Sequence, residues 1–101
     1  EQVPADTMSF ALSDDDWADF ISLTDLVYDG FSQRLLALYP KLGKWDVRIC
    51  CLSKNGFSNQ VISILLDTQT ESYYRRKTRI KQMKMNLVDD NRTFEEIVNA
   101  V

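Results

Sequence analysis

Residues 44–84 read KWDVRICCLSKNGFSNQVISILLDTQTESYYRRKTRIKQMK, and the breaks in this stretch decide the architecture. Three helical runs are separated by two short turns. The first, about Lys44 to Lys54, places Trp45, Ile49 and Leu52 at the spacing of one buried helix face. Asn55-Gly56 supplies a left-handed stop, and Phe57 follows as the apolar residue that packs back on such a cap. Ser58 is the N-cap of the second run, which carries Val61, Ile62, Leu65 and Leu66. Asp67-Thr68-Gln69 turns the chain again, with Thr68 and Glu71 in capping-box register. The third run, about residues 70–85, sets Tyr73, Lys77, Ile80 and Met83 along one side. Arg75, Arg76, Arg79, Lys81 and Lys84 crowd its other faces.

The same punctuation extends outward. Ser13 and Asp16 form a capping box ahead of Trp17, Phe20, Ile21, Thr24, Val27 and Tyr28, which recur at helical spacing. Asp29-Gly30 interrupts that helix, and Asp29 is the expected N-cap of a second helix through Phe31, Leu35 and Leu38, ended by Pro40. Beyond the break at Asp89-Asp90-Asn91, Thr93 and Glu96 cap a last helix bearing Phe94, Ile97, Val98 and Val101. The pattern predicts an all-α, six-helix bundle with no strand. Residues 1–12 are a flexible lead-in, 13–40 an N-terminal helical platform, and 41–101 the helix-turn-helix unit.

At 101 residues, 45% hydrophobic and 27% charged, the chain suits one small globular domain. Its longest near-unbroken apolar stretch, Val61 to Leu66, contains Ser63 and is far short of the ~20 residues a membrane span needs, so no membrane contact is expected. No basic segment followed by an apolar one opens the chain, and a start at Glu1 suggests a piece of a larger protein. Adjacent Cys50 and Cys51 diverge by about 100° on a helix, which makes a poor disulfide and suits buried thiols in a reducing, cytoplasmic setting. The chain has no His, which removes the commonest general base, metal ligand and partner of a nucleophile. No catalytic residue, metal or cofactor is expected. Asp14-Asp15-Asp16 sits at a helix start, where the dipole already favours acids.

Net charge is −3, but it is unevenly distributed. Residues 1–40 hold eight acids against Arg34 alone, while residues 70–84 hold six of the twelve basic residues against Glu71. A polyanion meets the local field rather than the total. A helix that reads DNA needs an apolar side to dock on its scaffold, cations to neutralise phosphates and an exposed first turn to meet base edges. The run 70–84 supplies all three.

Residues 42–84 resemble the LuxR-type (GerE-like) helix-turn-helix of bacterial transcription regulators, in register without a gap. Leu42 and Asp46 stand where that family has Leu and Glu, and Gly56-Phe57-Ser58-Asn59 fits its Gly-hydrophobic-Ser-Asn turn. Ile62 and Leu66 match its core, Ser72-Tyr73 its Thr/Ser-Val, and Ile80 its later Ile. With the leading helices and the capped last helix, about residues 13–101 look like the C-terminal tail of Bacteroidetes multidomain regulators. There are departures: Gly43 replaces a capping Thr, Gln69 a capping Ser for which Thr68 or Thr70 would substitute, Ser63 an Ala, and Met83-Lys84 a Lys-Leu.

The resemblance implies base-facing roles for Tyr74, Arg75 and Thr78, and phosphate-facing roles for Ser58, Asn59, Arg76, Arg79 and Lys81. It also implies a homodimer contact through the C-terminal helix 93–101. The expected function is that of a DNA-binding transcription regulator domain, the output module of a signalling protein and not an enzyme, with double-stranded DNA as partner. The alternative is a bundle of the same shape acting as a protein-interaction module, suggested by the net charge and by Glu71 near the recognition tip.

Overall fold

Ser13 begins the first helix as its spacing predicts: its Oγ accepts from the Asp16 N–H at 3.1 Å, and the Asp16 carboxylate takes the Ser13 N–H at 3.2 Å. In the computed structural model, which describes residues 12–101, this helix is α1 (Asp14–Val27). It is followed by α2 (Phe31–Leu38), α3 (Lys44–Lys54), α4 (Asn59–Leu65), α5 (Thr70–Arg79) and α6 (Phe94–Asn99), and α5 runs on into a π-helical turn, Ile80–Lys84. The described residues are thus all-α with six helices and no strand. The expected lead-in falls, but for Leu12, outside the described residues.

The α1–α2 break differs from the expectation at its cap. Asp29 adopts a left-handed φ of 55° and so terminates α1, and Gly30 (φ 75°) is the N-cap residue. The N-terminus of α2 is capped from the preceding helix instead: Asp25 accepts from the Ser32 N–H at 2.7 Å and from the Ser32 hydroxyl at 2.6 Å. Asp25 already takes the Ser32 N–H that a capping side chain would satisfy, so nothing at the start of α2 is left for Asp29 to cap. The α3–α4 turn follows the expected rule. Gly56 (φ 84°) occupies the left-handed position, and the Phe57 N–H closes back on the Leu52 carbonyl at 3.2 Å. Phe57 then stacks on Phe20 of α1, centroids 6.1 Å apart.

Helix α3 is the hub, touched by α1, α2, α4 and α6. Residues 46–53 are all buried, including both cysteines, whose thiols are free. Around it the core gathers Trp17, Phe31, Leu35, Ile62, Tyr73, Ile80 and, from α6, Phe94, Ile97 and Val98. The helices of residues 13–40 therefore share one core with those of residues 41–101. Gly43 has no side chain to complete a capping box, so only the reciprocal half forms, with the Gly43 N–H donating to Asp46 Oδ2 at 2.8 Å.

Several positions expected on buried faces lie at the surface, Val61 near the start of α4 among them. Trp45 is 42% exposed, because its indole lies at the surface in the first turn of α3, edge-on to Trp17 and beneath the Arg48 guanidinium. Met83 is 66% exposed while Met85 is buried. The π-helical turn inserts one residue after Ile80, so the inward-facing register moves on past Met83. Leu38 and Val27 also lie exposed, at the ends of their helices.

Candidate nucleic-acid interface

Ser58 caps α4 through its hydroxyl, which accepts from the Val61 N–H at 3.2 Å. The turn into α5 is built differently from the expected Thr68–Glu71 box. Asp67 takes φ 53°, the Thr68 N–H returns to the Ser63 carbonyl at 3.0 Å, and Gln69 becomes the N-cap without a side-chain bond. Neither Thr68 nor Thr70 caps the helix, because the left-handed residue at 67 satisfies the end of α4 and sets the start of α5 one residue past Thr68. The substitute caps expected for the missing Ser are therefore not made.

Tyr73 and Ile80 bury themselves and fix which side of α5 faces inward. Burial pushes the Tyr73 phenol above its ordinary range, and its hydroxyl has no hydrogen-bond partner among the described residues. Tyr74, Arg75 and Thr78, the expected base-facing set, all lie on the exposed side. The Thr78 hydroxyl donates back to the Tyr74 carbonyl at 3.2 Å.

The cations of this segment divide into two groups. Lys77 is nearly enclosed, its ammonium 5.1 Å from the Tyr73 ring centroid and 4.9 Å from that of Tyr74. It donates to Asn59 Oδ1 at 2.9 Å and to Glu95 Oε2 at 2.5 Å, tying α5 to α4 and α6. Lys81 donates to the carbonyls of Asp90 and Arg92, both at 2.6 Å. Lys84 lies 3.7 Å from Asp46. Two expected phosphate contacts, Asn59 and Lys81, are thus already engaged within the chain. Arg75, Arg76 and Arg79 are exposed and make no ion pair among the described residues.

These three arginines look into one cleft of about 640 Å³ between α5 and the first turn of α3. Gly43, Lys44, Trp45 and Asp46 form one wall, and Ser72, Arg75, Arg76, Arg79 and Lys84 the other. Five cations and one carboxylate share this space, and that carboxylate already accepts from Gly43. On the opposite flank of α5 a smaller cleft, about 340 Å³, is lined by Tyr74, Lys77, Thr78, Lys81, Thr93, Phe94 and Glu95. Its two lysines are the ones already paired.

Sequence reasoning missed Lys44, Trp45 and Lys84 as cleft residues. Lys44 opens one helix while Arg76 and Arg79 lie in the last turn of the next but one, a juxtaposition that no local spacing encodes. Helix α6 turns Phe94, Ile97 and Val98 inward, leaving Glu96, Asn99 and Ala100 outward on the segment expected to dimerise. No described helix is long and apolar enough to cross a membrane. Searches of family models, curated proteins and solved structures find no match to this chain.

Proposed function

We propose that this chain is a DNA-binding transcription regulator domain of LuxR-like type, the cytoplasmic output module of a larger bacterial signalling protein, and not an enzyme. The observation that carries the reading is the unopposed set Arg75, Arg76 and Arg79 on the outward side of α5. Arg75 donates only a long bond to the Ser72 hydroxyl, at 3.4 Å, and guanidinium groups without a carboxylate partner are free to exchange water and counterions for phosphate. Tyr74, Arg75 and Thr78 present polar atoms along the exposed ridge, where a major groove would meet them. Arg76 and Arg79, with Ser58 at the tip of α4, make the phosphate set; Asn59 and Lys81 are spent on internal bonds.

The π-helical turn also supports the resemblance. With one residue taken up between Ile80 and Lys84, Lys84-Met85 comes to the place of the family's Lys-Leu, and Lys84 faces Asp46, which stands at the family's Glu. The mismatch at Met83-Lys84 is then a one-residue insertion accommodated as a helix bulge.

Binding to a 20-base-pair duplex, followed by fluorescence anisotropy against salt, tests the reading. Neutralising four to six phosphates gives a log–log slope of about −4 to −5, and Arg75→Ala with Arg79→Ala weakens binding tenfold or more. Absent or salt-insensitive binding overturns it. A second reading, a protein-interaction module, draws on the exposed Leu23, Leu26 and Val27 of α1. That outcome shows as salt-insensitive binding to a protein partner and none to the duplex. Sedimentation of the chain alone tests the homodimer through 93–101.

A further inference from the structure

Helix α5 has two flanks of opposite character, and the difference lies in how each set of cations is used. On the α6 side, Lys77 is held by Glu95 and Asn59 and stacked against two tyrosine rings, and Lys81 is held by two loop carbonyls. On the α3 side, Arg76 and Arg79 have no carboxylate partner among the described residues, and Lys44 stands exposed across the cleft from them. The Lys77 ammonium has two strong acceptors and two ring faces, so transferring it to a phosphate gains little.

We infer that a duplex is held asymmetrically: one sugar-phosphate strand enters the cleft between α3 and α5, where Lys44 and Trp45 contact it from the scaffold side, while the α6 flank contributes no phosphate contact. This rests on the DNA-binding reading and adds to it. Lys44 lies at the first position of α3, where its own backbone N–H is also unused by the helix, and its side chain extends from an exposed site. The cleft, at about 640 Å³, has room for a stretch of backbone rather than a lone ion. Trp45, 42% exposed and with Arg48 at 4.4 Å from its ring centroid, offers the uncharged surface a deoxyribose can pack on. Trp17, the other indole, is buried, so Trp45 alone would report the event by fluorescence.

The test compares salt slopes of duplex binding for the wild-type chain, Lys44→Gln and Lys81→Gln. Lys44 makes no internal hydrogen bond or ion pair among the described residues, so its variant folds. Lys44→Gln reduces the slope by about one and weakens binding several-fold at 0.15 M salt, while Lys81→Gln leaves the slope at the wild-type value. Quenching of tryptophan emission on binding disappears in Trp45→Phe. Lys81 also anchors a loop, so a second measurement covers a Lys81→Gln chain that does not fold. That measurement is ethylation interference with the wild-type chain, on a duplex enriched from a random pool, and it shows interfering phosphates along one side of the site only. A wild-type slope in Lys44→Gln, or interference on both sides, overturns the asymmetric seat and leaves the DNA reading standing. A wild-type chain that binds no duplex overturns both.

Discussion

Arg48, in the middle of α3, donates to the Asp14 carboxylate at 3.0 Å, joining the hub helix to the first turn of α1 across 34 positions of sequence. The guanidinium is almost wholly buried while Asp14 is exposed, and it lies 5.2 Å and 4.4 Å from the ring centroids of Trp17 and Trp45. The stack, more than the ion pair, keeps a cation at this depth, since indole faces attract it without full desolvation of a second charge.

Arg48→Ala removes both the stacked guanidinium and the aliphatic stem that fills the space between α1 and α3. It is expected to destabilise the fold by about 2–3 kcal/mol, read as a lower midpoint in urea. Asp14→Asn leaves the stack in place and lowers the midpoint by less. An equal loss from both would place the energy in the ion pair.

Acid acts on the loop before α6. Arg92 reaches Asp90 with both its Nε and Nη2 and holds the Asp90 carboxyl down to about 2. A depressed carboxyl contributes stability that is complete above the ordinary carboxylate value, near 4, and is lost as pH falls toward 2. Carbon-detected NMR titration of the Asp90 carboxyl is expected to give that low midpoint, and Arg92→Gln to bring it back toward 4.

The bulge after Ile80 predicts opposite outcomes for two neighbouring methionines. Met85 is buried, and Met85→Ala is expected to cost about 2–3 kcal/mol by thermal or urea unfolding. Met83→Ala, at an exposed site, stays within about 0.5 kcal/mol of wild type. The reverse order would mean that the segment is regular α-helix.

Both thiols are expected to be inert in the native chain. Burial pushes Cys51 up to about 12 and Cys50 higher still, so neither forms the thiolate that attacks a disulfide reagent near neutral pH. Reaction with an aromatic disulfide reagent should release no chromophore from the folded protein and two equivalents in urea. Rapid release from the folded chain would contradict the burial.

What was legible beforehand was local. Ser13 with Asp16, Thr93 with Glu96, Ser58 and Gly56 each act within four positions of their partners, and each forms the expected cap. Where a cap came from another element, local reading failed: Asp25 reaches forward seven residues to Ser32, and no periodicity encodes that. The π-helical turn was equally hidden, because Met83 and Met85 are chemically alike and only packing chooses between them. In the candidate interface the exposed ridge of Tyr74, Arg75 and Thr78 followed from helical geometry once Tyr73 and Ile80 were placed inward. Which lysines remain free did not, since Lys77 and Lys81 are held by groups 9 to 18 residues away.

The split between engaged and bare cations makes this protein electrically two-sided on a chromatography column. With a net charge of −3 it is expected to be retained by a positively charged resin, through the aspartates of α1. Retention on phosphocellulose is also expected, through the cleft where five cations gather around one carboxylate. Under the proposed DNA-binding reading, a purification that relies on overall charge is expected to carry nucleic acid fragments along with the protein unless the salt is high enough to strip that patch.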